Sequence, residues 1–142
     1  MAIVGTEWLI DASGCRAESL RDTQLLRAMF ERIIRELNLR VVGEPVWHKF
    51  AEPSGVTGMV LLTESHLTCH TYPEHELATI NLYCCKARPA WNWAENLREM
   101  LGATSVKVRI VERCGTAASP VDAASVLPEN SGAANSYEGE RR

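Results

Sequence analysis

The stretch from Gly58 to Cys85 leaves the chain little choice of fold. Gly58-Met-Val-Leu-Leu-Thr63 is a nearly continuous apolar run, as expected of a central strand covered on both faces. His66–Thr71 and Leu77–Cys85 read as two further strands, joined through Pro73–Glu76. Strands that follow one another across short connections build an antiparallel-rich sheet.

The flanking segments supply the rest of the sheet and two helices. Residues 6–13 read as a short strand ended by Gly14. Ser19-Leu-Arg-Asp22 resembles a capping box, a hydroxyl followed three positions later by an acid. Leu25, Leu26, Met29, Phe30, Ile33, Ile34 and Leu37 then recur at spacings of three and four, which predicts an amphipathic helix ending near Asn38. Arg40–Phe50 is β-rich but broken by Gly43 and Pro45, so it reads as an irregular or edge strand. Pro89 opens a second helix with Trp93, Leu97 and Leu101 on one face, and Gly102 stops it. Ser105–Cys114 carries Val106, Val108 and Ile110 on one face of a last strand. The order β-α-β-β-β-β-α-β predicts an α+β fold, a two-layer α/β sandwich with two helices on one face of the sheet. The other face then needs cover, such as a second subunit.

Composition narrows the function classes. Fifteen Lys+Arg against 18 Asp+Glu, a formal net charge of −3, argue against a nucleic-acid binder. No run approaches the roughly 20 apolar residues that span a bilayer, which argues against a membrane protein. Met1–Val4 has no basic leader region and Glu7 and Asp11 interrupt the apolar stretch, so no secretory signal is read. Five cysteines, an odd number without a Cys-x-x-Cys pair, then fit reduced thiols in a cytoplasm. Eighteen of the 28 residues from Gly115 to Arg142 are Gly, Ala, Ser, Thr, Pro or Asn. Residues 115–142 therefore read as a flexible tail behind a single folding unit, 1–114.

Thr63-Glu-Ser-His-Leu-Thr-Cys-His-Thr-Tyr-Pro-Glu74 concentrates reactive groups: hydroxyls, two imidazoles, a thiol and two acids in twelve residues. Four readings compete. His66 and His70 are four apart, a metal-ligand spacing on a helix, but the Thr-rich context favours a strand and no third ligand is obvious. Ser65 lacks the Gly-x-Ser-x-Gly elbow of a serine hydrolase. Cys69 or Cys85 near His70 has the composition of a thiol nucleophile but no protease-type motif. The fourth reading is a polar strand whose His and Thr satisfy one another.

Glu64-Ser65-His66 followed by His70-Thr71-Tyr72-Pro73-Glu74 closely resembles the processing motif of the short prokaryotic S-adenosylmethionine decarboxylases. Gly55-Val-Thr-Gly58 is similar to that family's Gly-Val-Ser-Gly, Ala78–Cys85 to its Ala-x-x-Asp-x-x-x-Cys strand, and Trp8–Cys15 to its first strand. The resemblance covers about residues 6–113.

It implies a proenzyme that cuts itself between Glu64 and Ser65 into a β chain, 1–64, and an α chain, 65–142. Ser65 attacks the Glu64 carbonyl, an ester replaces the peptide bond, and elimination and hydrolysis leave a covalent pyruvoyl group at residue 65. The resemblance gives His70 the proton-moving role and Thr57 the place of a processing serine. The pyruvoyl group forms a Schiff base with an amine-bearing small-molecule substrate and accepts the electrons released with CO₂. Protonation of the carbanion falls to Cys85. Neighbours on a strand point to opposite faces, so only one of Cys84 and Cys85 faces the pyruvoyl group. The family also implies a homodimer of cleaved αβ units and a role in polyamine biosynthesis; no metal site is read from the residues.

Three departures bear on the substrate: Asn81 stands where the family has Asp, Tyr72 where Trp is usual, and Lys86 where Gly is usual. Loss of the acid at 81 weakens the case for a cationic sulfonium. Glu74 offers a charge for the distal cation of L-ornithine or L-arginine, substrates that keep an amino-acid decarboxylase open. Phe50 and Trp47 are candidate platforms for an adenine ring. An unprocessed, non-catalytic regulatory homologue is the non-enzyme alternative.

Overall fold

A computed structural model describes residues 1–115. One six-stranded sheet contains β1 (Ala2–Ser13), β2 (Val46–Lys49), β3 (Val56–Leu62), β4 (Ser65–Tyr72), β5 (Leu77–Cys84) and β6 (Ser105–Gly115) in the order β2-β3-β4-β5-β1-β6. Every pairing is antiparallel. Helices α1 (Ala17–Arg21), α2 (Thr23–Glu36) and α3 (Trp93–Leu101) complete the α+β sandwich. The expected tail lies outside the described residues, except Gly115, which closes β6.

The core lies on the helix side of the sheet. Ile10, Val60, Leu67, Ile80 and Leu82 share it with Leu26, Met29, Phe30 and Ile33 of α2 and with Trp93, Leu97 and Leu101 of α3. The apolar stripes read from the sequence are therefore the buried ones, with Leu25 and Ile34 at their margin.

The helix starts differ from expectation. The first helical segment breaks at Asp22, which takes an extended conformation and caps α2 by accepting the Leu25 N–H at 3.1 Å. Ser19 forms no capping box, and α1 carries no side-chain cap. The described residues thus form three α-helices where two were expected, and a single 3-10 turn at Pro73–His75 in the connection between β4 and β5. Pro89 does not open the last helix either. α3 begins at Trp93, where the Asn92 side chain accepts the Glu95 N–H. Both real caps are short polar side chains beside the first helical turn, the geometry that satisfies its orphan N–H groups. Gly102 ends α3 at φ +74°, a left-handed conformation suited to glycine.

The apolar run of β3 is covered on one face only. Val56, Val60 and Leu62 are buried, whereas Met59 and Leu61 are 54% and 58% exposed on the other side. A run with apolar residues on both faces reads as doubly covered, but the described residues place helices on one face alone. β2 is an edge strand that starts only after Gly43 and Pro45, and β6 forms the opposite edge. There Val106 is half-buried, while Val108 and Ile110 are exposed.

Thr71 ties three elements together. Its buried hydroxyl accepts the Val56 N–H at 2.8 Å and donates to the Leu20 carbonyl at 2.7 Å, linking β4 to β3 and α1. Gly55 permits this approach, because a Cβ there would lie 2.4 Å from the Thr71 carbonyl oxygen. Thr71→Val keeps the shape but strands a buried donor and a buried acceptor. It should cost about 2–4 kcal/mol in urea unfolding, with Thr71→Ser recovering most of the loss.

Candidate active site

The β4 register distributes the reactive groups. Ser65, Leu67, Cys69 and Thr71 alternate with the more exposed His66, Thr68, His70 and Tyr72, which stand on the uncovered face. Two clusters result, one at each end of the strand.

The first cluster surrounds the turn between β3 and β4. Leu62 pairs with Ser65, so Thr63 and Glu64 form a two-residue turn. Ser65 pairs in turn with Cys84 of β5. The Cys85 N–H donates to the Glu64 carbonyl oxygen at 3.0 Å, and Lys86 Nζ lies 2.8 Å from Glu64 Oε1. The carbonyl next to the Ser65 hydroxyl is thus already polarised by a fixed backbone donor, the arrangement that stabilises a developing oxyanion. Burial pushes the Cys84 thiol above its ordinary range, opposed by the nearby Ser65 hydroxyl and the positive charge of Arg88. Cys85 lies one residue beyond β5 and is exposed. The adjacent cysteines therefore occupy different environments: Cys84 is buried beside Ser65, and Cys85 is open to solvent.

The second cluster lines a cleft of about 230 Å³ that includes Phe50, Gly55, Thr57, His70, Tyr72 and Glu74. Thr57 and His70 are paired across β3 and β4, with 3.0 Å between Thr57 Oγ1 and His70 Nδ1. That contact orients the imidazole and leaves Nε2 for proton transfer. Phe50 is 52% exposed and meets His48 edge-on. Trp47, the other candidate platform, packs against Phe30 with ring centroids 4.8 Å apart and serves the core.

The structure thus brings Phe50, Thr57, His70 and Glu74 together, and separately Glu64, Ser65 and Cys85. Five residue steps along the strand separate Ser65 from His70, about 16 Å. The competing readings fare accordingly. His66 and His70 stand on one face about 13 Å apart, too far to share an ion. Ser65 begins a strand and occupies no strand-to-helix elbow. Cys69 is buried on the face opposite His70, and burial pushes its thiol up to about 12.

One group escaped the sequence reading. Glu7 Oε1 accepts from the Asn81 amide at 2.7 Å, and Arg113 reaches Glu7 Oε2 at 3.1 Å. The Asn81 bond holds the Glu7 carboxyl below its usual range, against the cost of burial and with help from Arg113. A carboxylate therefore stands against Asn81 from the neighbouring strand, paired with Arg113. No local motif signals this contact, because it joins β1 to β5 across 74 positions.

A two-layer α+β domain with a hydroxyl–carbonyl turn and a Thr–His cleft has the parts of a self-processing enzyme. The S-adenosylmethionine decarboxylase family model matches residues 6–133, and the chain belongs to that family. It is 36% identical over 109 residues to S-adenosylmethionine decarboxylase proenzyme 2 of Halalkalibacterium halodurans, covering 76% of this chain and 84% of that relative. It is 34% identical over 130 residues to the S-adenosylmethionine decarboxylase proenzyme of Caldicellulosiruptor saccharolyticus, covering 89% and 100%. The crystal structure of the adenosylmethionine decarboxylase from Aquifex aeolicus superposes with a TM-score of 0.70 at 28% identity, covering 82% of this chain and 96% of that one.

Exposure orders the thiols. Native alkylation should label Cys85 and Cys114, whereas Cys15, Cys69 and Cys84 should react only after unfolding, as read by peptide mass.

Proposed function

We propose that the chain is a self-processing, pyruvoyl-dependent S-adenosylmethionine decarboxylase. The carrying observation is the Ser65 hydroxyl beside a Glu64 carbonyl held by the Cys85 N–H, within a family match that spans the fold. Ser65 Oγ attacks the Glu64 carbonyl carbon, the Glu64–Ser65 C–N bond breaks, and the nitrogen takes up a proton. Loss of the residue 65 Cα proton then breaks the Cβ–O bond and expels the Glu64 carboxylate. Water hydrolyses the remaining dehydroalanine, releasing ammonia and leaving the pyruvoyl group. The hydroxyl, the polarised carbonyl and the turn position fit its formation. The group supplies a ketone that captures the substrate amine and an electron sink for the bond to CO₂.

The two clusters favour a homodimer of cleaved αβ units. His70 and Thr57 lie too far from Ser65 to serve it in the same chain. An antiparallel two-fold pairing of the uncovered faces would bring the β3–β4 turn of one copy, with its Glu64–Ser65 bond, over the His70 end of the other, although the Ser65 side chain of the uncut chain starts on the opposite face. Exposed Met59 and Leu61, and the buried Asn81 Oδ1 without a partner, stand on the side that such stacking covers. In that arrangement His70 moves the processing proton with Thr57 orienting it. Phe50 offers a ring to the adenine and Glu74 a charge to the sulfonium. Cys85, the exposed thiol, protonates the product carbon.

The relatives named above are all S-adenosylmethionine decarboxylases. L-Ornithine, L-arginine and an uncut regulatory role draw no support from them. No helix among the described residues is long and apolar enough to cross a membrane. We place the enzyme in the cytoplasm, on its reduced cysteines, and in polyamine biosynthesis, on its family.

Carboxyl-labelled S-adenosylmethionine, L-ornithine and L-arginine should be compared with purified protein. CO₂ is expected from the first, and release from ornithine or arginine alone would contradict the substrate. Ser65→Ala should remain uncut. Cys85→Ala should still cleave but lose about 100-fold or more in kcat, the scale of a lost general acid. If Cys84→Ala is the variant that loses turnover, the proton donor is misassigned.

A further inference from the structure

A second cleft, of about 440 Å³, lies at the turn between β3 and β4. Its wall includes Arg40, Glu64, Lys86 and Arg88, three cations against one acid. Lys86 already holds the Glu64 side chain at 2.8 Å. Arg88 Nη1 donates to the Asn38 carbonyl at 3.3 Å, while Arg88 Nε is buried without an acceptor. A buried guanidinium N–H with no partner is costly, so the uncut chain carries a donor whose acceptor is missing. The cluster also holds more positive charge than Glu64 neutralises.

We propose that this cleft is a carboxylate site for the new C-terminus of the β chain. The inference rests on the self-processing reading. Elimination from residue 65 turns the Glu64 carbonyl into a carboxylate at the wall of this cleft. One of its oxygens is the atom that accepts from the Cys85 N–H in the uncut chain. The other is a new acceptor beside Arg88 and Lys86, where charge-assisted hydrogen bonds are strongest. Lys86 stands where glycine is usual in the family, so one of the three cations comes from a departure that the processing chemistry does not require. A substrate carboxylate is the poorer fit. Cations holding a group that must leave as CO₂ stabilise the ground state and slow the step. The site therefore anchors the cut end and opposes religation and fraying of β3 after cleavage.

The test uses the cleaved wild-type enzyme, Lys86→Met and Arg40→Gln, each treated with a carboxypeptidase that removes C-terminal glutamate. Intact mass of the β chain reads the trimming. Wild type should keep Glu64, and each variant should lose it about tenfold faster, the scale of one charged hydrogen bond. High salt should speed trimming of wild type more than of the variants. Equal trimming rates in cleaved wild type and both variants would overturn the carboxylate site while leaving self-processing intact. A wild-type chain that never cuts would overturn both, and the mass spectrum separates the two failures. Lys86 is exposed and Arg40 lies outside the core, so loss of folding does not account for faster trimming; unchanged urea midpoints check this.

Discussion

The pairing of β4 between β3 and β5 decides where every reactive group goes. Leu62 opposite Ser65, Ser65 opposite Cys84, and Thr57 opposite His70 belong to one register. A slip of one residue would move each side chain to the other face. The register is held by buried alternation on the helix side and by Thr71, whose hydroxyl locks β4 to β3 and α1. The same threonine sits inside the reactive motif, so part of that motif is a structural clamp and its neighbour His70 inherits a fixed position.

That register also divides the chemistry. Bond cleavage needs a hydroxyl, a polarised carbonyl and a proton carrier. The first two meet at the turn between β3 and β4, and the third lies about 16 Å along the strand. Under the proposed two-copy arrangement this separation has a purpose: an antiparallel pair of chains supplies the missing group twice, once for each site. The open face suits such contact. Arg109 with Asp11 and Arg113 with Glu7 neutralise one another across β1 and β6, and Met59 and Leu61 add apolar area.

Much of this was legible in the sequence because periodicity and motif spacing are local. The stripes of α2 and α3 and the strands are of that kind, whereas the sequence puts Ser65, His70 and Cys85 in one catalytic set and the strand register sets His70 apart from the other two within the chain. What was not legible depends on partners distant in the chain. Asp22 rather than Ser19 caps the long helix because the backbone turns there, and Asn92 rather than Pro89 starts the last one. The run of β3 hides that one of its faces is uncovered. The contact of Glu7 with Asn81 shows why reading one substitution alone misleads, since the amide at 81 serves a carboxylate on the next strand that Arg113 also pairs. The motif singles out Cys85 of the two adjacent cysteines, but only the register shows that Cys84 is buried under the sheet and Cys85 is left exposed.

Co-expression of a Ser65→Ala chain with a His70→Ala chain, each carrying a different tag, tests the shared site most directly. Neither chain should cut alone. In mixed pairs one site joins both defects and the other joins an intact Ser65 to the partner's intact His70, so cleavage should return in the His70→Ala chain only. Mixed pairs that form and stay uncut, or a His70→Ala chain that cuts normally alone, would contradict the account.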